Sequence, residues 1–349
     1  MPAPLDEYKT HINRALEEFF GAIPDKLGLD LSEQSQQAIV MLRDYTMRPA
    51  KRIRGALAAR AYDCGNGTKI GRAGIQLGVA LELLQSYLLA VDDVMDMSNL
   101  RRGEPTIHRL YTDTYSPRDA DMMAINVGLV AQHFANLALL DSGEEPARIT
   151  EALGLVHRNI TATGFGQMDD LYQRVGRTVR EADVIRKHCL KSSYYTFVNP
   201  LQAGMALAGR MAPTVLDDAA AFGLPAGIAF QLHNDLLGVF GRTDSMGKPS
   251  SDDLQEAKYT LLVHYALVHG NSRQSERLKC VLAGEQLKPA DVRSARQIFV
   301  QTGAKKFTQE QIVYYVAQAE EALRASGTWG TSFTAELVDL LRYATQKTA

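Results

Sequence analysis

Apolar residues recur along this chain at helical spacing. LSEQSQQAIVMLRDYTM (31–47) carries them on one face behind a capping residue, Ser32. AGIQLGVALELLQSYLLAV (73–91) is apolar on nearly every side, which predicts a buried central helix. ADMMAINVGLVAQHFANLALL (120–140) predicts another. KPADVRSARQIFVQTG (288–303) opens with proline and aspartate, as helices often do. FTQEQIVYYVAQAEEALRAS (307–326) opens with Thr308 and Gln311 at the spacing of a capping box. Alternating Val/Ile/Thr runs bounded by turns are missing, so few or no strands are expected. Short polar loops fall at 63–74, 112–119 and 141–146, and a longer one at 240–253. No repeat, low-complexity run or linker divides the chain. The expectation is an all-α protein with one large helical core, a single domain over 1–349.

Composition narrows the picture. The 349 residues are 46% hydrophobic and 22% charged, as in a globular protein. The formal charge of −2, from 38 basic and 40 acidic residues, gives no bulk attraction to nucleic acid or an anionic membrane. Anion recognition must come from local clusters. Cys64, Cys189 and Cys280 are odd in number and far apart, fitting neither a disulfide framework nor a zinc site. The start, MPAPLDEYKT, lacks the basic-then-apolar order of a signal peptide. No uninterrupted apolar run reaches the roughly 20 residues of a membrane span. A cytoplasmic protein without transmembrane segments is expected.

Two helices end in acid. After the apolar run ALELLQSYLLAV (80–91) come Asp92, Asp93 and Asp96, then Arg101 and Arg102. Asp92 and Asp96 share a helix face, where like charges destabilise, close to the negative end of the dipole. That cost suggests a counter-cation. Carboxylate oxygens without nearby histidine or cysteine suit magnesium before zinc. A solvated acidic end, or pairing with the two arginines alone, fits the same spacing. The second helix, GIAFQLHNDLLGVFG (227–241), carries Gln231, Asn234 and Asp235, followed by Lys248 and Lys258 amid further acids. Carboxylate-held magnesium ringed by lysines and arginines would take a polyphosphate. There is no Walker loop or GxGxxG, so a nucleotide is not its obvious owner.

These residues, in order, resemble the trans-isoprenyl diphosphate synthases, which include farnesyl and geranylgeranyl diphosphate synthases. The resemblance runs from about residue 48 to 265, through KRIRG (51–55), ELLQSYLLAVDDVMD (82–96), RRGEPT (101–106), GQMDDL (166–171), KSSYYTF (191–197), FQLHNDLLGVFG (230–241) and GKPSSDDLQEAKYTLL (247–262). It implies a helical bundle with a central cavity, Mg2+ as cofactor, and condensation of isopentenyl diphosphate with an allylic diphosphate. Asp92 and Asp96 would hold magnesium, with Asp93 supporting, and Asn234 and Asp235 would form the second metal motif. Arg101, Lys191 and Lys248 would grip the allylic diphosphate, with Lys258 nearby. Lys51, Arg54, Gln85 and Arg102 would form the isopentenyl diphosphate pocket. Ser192, Tyr195 and Gln231 match positions near the allylic cation, and Gln167 and Asp170 another polar point on the diphosphate side. A homodimer is expected. Singly, each has a plainer reading: Lys51 and Arg54 as a solvated basic turn, Gln85 as a satisfied core amide, Tyr195 as core.

The chain departs from the pattern at Asn234, where the family usually has aspartate. An amide oxygen coordinates without the charge, so one metal should bind more weakly. Some terpene cyclases begin their second metal motif with asparagine, but Gly238 and Arg242 lack the serine and glutamate that follow. A cyclase has no use for an isopentenyl site. A weak regulatory subunit is a further alternative, against which the other diphosphate residues stand. Bulk one turn before Asp92 limits product length in this family. Tyr87 as a floor, with Leu88 leaving room, suggests geranylgeranyl diphosphate, with farnesyl second.

Overall fold

The computed structural model describes residues 1–241, 252–284 and 287–345. Its order is α1 (Ala3–Leu27), α2 (Glu33–Met47), α3 (Ile53–Asn66), α4 (Arg72–Met95), β1 (Leu100–Arg101), β2 (Glu104–Pro105), α5 (Ile107–Tyr111), α6 (Pro117–Leu140), α7 (Pro146–Tyr172), α8 (Glu181–His188), a π-helical segment (Cys189–Val198), α9 (Asn199–Leu207) and α10 (Pro213–Phe240). Then come α11 (Asp252–Gln255), α12 (Leu261–His269), α13 (Ser272–Leu282), α14 (Pro289–Gln301), α15 (Ala304–Ala325) and α16 (Thr331–Thr345). The all-α expectation holds. Among the described residues the only strands are β1 and β2, an antiparallel hairpin pairing Leu100 with Pro105.

The 1–349 range that reads as one domain packs as two compact units. The first is Met1–Val156 with Pro200–Val215, and the second His157–Asn199 with Leu216–Ala349. Each crossing falls inside a helix, in α7, α9 and α10, so no loop or composition change marks it.

In the first unit α4 is the centre, as its apolar pattern predicts. Leu77, Val79, Leu83 and Ala90 are all but fully buried, packed against α1, α3 and α6. Close approach needs small residues: a Cβ on Gly55 would lie 2.8 Å from the Gly78 carbonyl oxygen. The helix ends at Asp96, whose N–H donates to the Asp92 carbonyl, and Met97 turns the chain at φ 51°. The hairpin then turns on Arg102 (φ 58°) and Gly103 (φ 83°). Two positive φ values in a two-residue loop make the turn that matches strand twist.

In the second unit the core forms between α10, α12, α13 and α14, with Leu232, Leu261, Leu278 and Phe299 fully buried. The π segment is seated on two glycines. A Cβ on Gly166 of α7 would overlap the Lys191 backbone, and one on Gly227 of α10 would overlap Ser193.

Two sequence expectations are corrected. The helix over 307–326 begins at Ala304, with Gly303 at φ 80° as its cap, so Thr308 is no N-cap. Its hydroxyl instead donates to the Ala304 carbonyl at 2.9 Å. Second, α4, α6 and α10 are long and apolar enough, by length and composition, to cross a membrane, although none was expected to be. Two-thirds of the most apolar α4 window is nevertheless buried within the protein. Ser32 does cap α2, its side chain accepting from Ser35 N–H at 3.2 Å.

Candidate active site

In the first unit the acidic end of α4 divides by burial. Asp92 and Asp96 are partly exposed, whereas Asp93 is fully buried. Tyr45 donates to Asp93 Oδ2 at 2.7 Å, and Arg101 donates to Oδ1 through Nε at 2.8 Å and through Nη2. Burial first, and then the Asp93 charge, raise the Tyr45 phenol far above its usual range, so it stays protonated and donating. Arg101 also reaches Asp92 Oδ2 at 3.6 Å. Asp93 is therefore the anchor of Arg101, with both carboxylate oxygens engaged by protein donors.

The basic residues form a layer beside this end. Arg102 donates to the Arg48 carbonyl at 3.2 Å, and Arg48 donates to the Arg101 and Pro105 carbonyls. This ties the hairpin to the turn after α2. Burial, then the neighbouring Arg52 charge, lower the Arg102 guanidinium from its usual value. Exposed Lys51 lines a cavity of about 460 Å³ with Lys9, Asn13, Arg48 and Arg52. Arg54 and Gln85 are half-buried on α3 and α4. Tyr87 and Leu88 are half-buried, and the Tyr87 ring lies over Gly128 of α6, where a Cβ would be 3.4 Å from its Cδ2.

Sequence reasoning passed over Arg52 and Glu82. Arg52 is 3% exposed, pairs with Glu82 at 3.1 Å, and donates to Asn13 and to the Thr46 carbonyl. Glu82 also accepts from the Gly55 N–H at 3.0 Å. The available signal was Glu82 itself, a lone acid in a buried apolar helix, which demands a cation. Arg52 holds φ 52°, strain kept by these contacts.

In the second unit the π segment carries Lys191, Ser192 and Tyr195. Such segments are rare and gather at functional sites. Lys191 Nζ lies 2.7 Å from Asp170 Oδ2, and Lys187 Nζ lies 2.9 Å from Asp170 Oδ1. Burial alone would raise the Asp170 carboxyl, but Lys191 and Lys187 pull it far below the usual carboxylate range. Asp170 thus holds both Lys187 and Lys191. Gln167 is half-buried one turn before it.

Ser192 donates to Gln231 Oε1 at 2.9 Å, and Gln231 donates through Nε2 to Asp235 Oδ1 at 2.8 Å. Asp235 Oδ2 meets His188 Nε2 at 3.2 Å. This chain fixes the Gln231 amide with its oxygen toward Ser192. Burial would raise Asp235, but His188 and the Gln231 hydrogen bond bring it below its usual value. Asp235 is 3% exposed, and its two carboxylate oxygens face Gln231 and His188. Asn234 is partly exposed and Tyr195 buried. Lys258 pairs with Glu256 at 2.5 Å. Lys248 and Arg242 lie outside the described residues.

Residues 36–299 match the Polyprenyl synthetase family model. The chain belongs to the polyprenyl synthetase family. It is 30% identical over 273 residues to a short chain isoprenyl diphosphate synthase of Methanothermobacter thermautotrophicus, spanning 78% of this chain and 79% of that protein. It is 25% identical over 294 residues to a farnesyl diphosphate synthase of Dictyostelium discoideum, across 81% and 76% of the two chains. Its fold superposes with a TM-score of 0.91, at 25% identity and 99% coverage of both chains, on a geranylgeranyl pyrophosphate synthase of Corynebacterium glutamicum complexed with isoprenyl diphosphate and magnesium. The chain is thus a prenyl diphosphate synthase, related to enzymes of differing product length.

Asp92 and Asp96 offer this polyprenyl synthetase partly exposed carboxylates one helical turn apart, oxygen donors only. Among the described residues no three His, Cys, Asp or Glu side chains gather into a metal cage. One or two carboxylates with the remaining positions left to substrate phosphate is how magnesium is commonly held. The donor set at Asp92 and Asp96 therefore fits that ion.

Proposed function

We propose that the chain condenses isopentenyl diphosphate with an allylic diphosphate to release a longer linear trans-prenyl diphosphate, geranylgeranyl diphosphate first among candidates. The observation that carries this reading is the division of labour at the end of α4. Asp93 is spent on Arg101 and Tyr45, while Asp92 and Asp96 stay partly exposed beside Arg101, which Arg48 ties to the turn after α2. That arrangement suits a polyanion and its metal.

Magnesium, when bound, supplies charge neutralisation for the leaving pyrophosphate. The protein side chains do the rest. Arg101 uses donors on Asp93 and has five in all, so the same guanidinium is oriented to bind phosphate oxygen. Lys191 supplies a further cation for diphosphate, and Lys248 and Lys258 are proposed for the same role. Lys51, Arg54, Gln85 and Arg102 orient isopentenyl diphosphate. The allylic C–O bond breaks, pyrophosphate departs with the electron pair, and the isopentenyl double bond attacks the cation. Loss of one proton completes the elongated product. The Ser192 and Gln231 dipoles and Tyr195 line the cationic side. Asn234 lacks the charge of an aspartate, so the second metal position binds more weakly. The proposed assembly is a homodimer.

Purified protein incubated with magnesium, isopentenyl diphosphate and each allylic diphosphate in turn tests this, with products identified by mass spectrometry. A longer linear diphosphate, formed only with isopentenyl diphosphate and abolished by chelation, is expected. Asn234→Asp should lower the magnesium concentration needed. A hydrocarbon or alcohol formed without isopentenyl diphosphate would overturn the reading. So would no turnover in either form.

A further inference from the structure

Lys187 lies one helical turn before Lys191, and both sit on Asp170. Lys187 takes Oδ1 at 2.9 Å and Lys191 takes Oδ2 at 2.7 Å. The two lysines are not equivalent. The Lys187 side chain is 3% exposed and donates a second bond, to the Tyr259 carbonyl at 2.8 Å. The Lys191 side chain is 26% exposed. Asp170 itself is 10% exposed at its side chain, too buried to tolerate an ionised state without a partner.

A lysine paired to a buried carboxylate is poorly placed to bind a phosphate. Leaving would strand the carboxylate uncompensated in a low-dielectric site. One carboxylate shared by two lysines removes that obstacle. The group of three carries a net positive charge, and Asp170 keeps an ion pair when one lysine departs. The lysine that departs is the more exposed one, because Lys187 is held from a second side.

We propose that Lys187 is a positioning residue: it keeps Asp170 compensated, so that Lys191 can leave that carboxylate and bind the substrate diphosphate. This deepens the diphosphate reading and rests on it. Lys187 itself touches no substrate. Asp170 acts as the dock from which Lys191 is released.

Binding of inorganic pyrophosphate with magnesium, by calorimetry, tests this alongside the KM for the allylic diphosphate, kcat and thermal midpoint. Wild-type protein that binds no pyrophosphate would refute the diphosphate reading itself. If wild type binds, Lys187→Met is expected to weaken pyrophosphate and raise KM by about tenfold, since Lys191 is then the one lysine paired directly with Asp170, and the Lys258 charge acts on that carboxylate less strongly than either. Lys187→Arg should restore both. Adding Asp170→Asn to Lys187→Met removes the tether and should return pyrophosphate affinity to within about threefold of wild type. A merely structural Lys187 would lower the thermal midpoint, leave KM unchanged and show no recovery in the double variant. That result would overturn the inference. Should Lys187→Met fail to fold, the double variant, which lacks both buried charges, carries the test. A tenfold loss of affinity there would also overturn it.

Discussion

Arg101 is locked onto Asp93, eight residues earlier in the chain, with Nε 2.8 Å from Oδ1. Tyr45 closes the other oxygen at 2.7 Å. Three acids within five residues therefore differ in kind. Asp93 is fully buried and structural, whereas Asp92 and Asp96 are partly exposed. Removing Asp93 leaves the largely buried Arg101 guanidinium with only its longer 3.6 Å contact to Asp92, so Asp93→Ala should cost about 3 kcal/mol of stability. Asp92→Asn should leave the urea midpoint nearly unchanged and abolish most turnover. Urea unfolding and turnover, measured on both variants, check this. Equal stability loss in the two would contradict the division.

Much of this was legible in the chain. The 3.6-residue period places α2, α4, α6 and α14, and the Ser32 cap holds. The acidic ends of α4 and α10 were readable because charge at the end of an apolar helix needs a reason. What escaped was pairing between distant positions. Tyr45 with Asp93 and Arg52 with Glu82 span 48 and 30 residues, and no local pattern encodes them. The π segment escaped because its i→i+5 bonding leaves no distinct apolar period. The Thr308 capping box misled because threonine also bonds back within a helix, as it does here to Ala304. The motif spacing does not show that Asp93 and Asp235 are buried and already hydrogen-bonded within the protein.

The Arg52–Glu82 pair makes a sharper energetic test. Both side chains are within 2% of full burial, and Arg52 also holds the Thr46 carbonyl and Asn13. Glu82→Ala should destabilise by about 3–5 kcal/mol, because it strands a buried cation. The double variant Arg52→Met with Glu82→Met should recover most of that stability, since apolar replacement of a buried pair is often near neutral. Turnover should not recover, because Arg52 lines the same cavity as Lys51. Denaturant melts with parallel assays separate the two effects. Recovery of activity along with stability would remove Arg52 from the site.

Asp170 predicts a pH dependence of known sign. Lys191 and Lys187 depress its carboxyl in the folded state, against the opposing effect of burial. A depressed carboxyl contributes stability that is complete above the unfolded pKa of about 3.9 and is lost as pH falls toward the folded value. Wild type should therefore hold its Asp170 contribution from neutrality to about pH 5 and lose it progressively below. Asp170→Asn should be less stable at neutral pH and show a shallower acid limb. Urea midpoints from pH 3 to pH 7 measure the difference. Parallel limbs in the two proteins would mean Asp170 is not held ionised.

Tyr87 sets the last prediction, on product length. It sits five residues before Asp92 on α4, and its ring, together with the Val91 side chain, lies against Gly128 of α6. One helical turn is about 5.4 Å, so Tyr87 stands just beyond one turn from the carboxylates, where a growing chain would reach. Leu88, four residues before Asp92, is the smaller side chain beside it. Tyr87→Ala removes an aromatic ring from that depth and should shift products to longer prenyl diphosphates. Leu88→Phe adds bulk nearer the carboxylates and should shift them shorter. Mass spectrometry of products from a common allylic primer reads both shifts. Unchanged length in both would put the floor elsewhere. A shift in Leu88→Phe alone would put it one position nearer Asp92, on the face of α4 that carries Leu88.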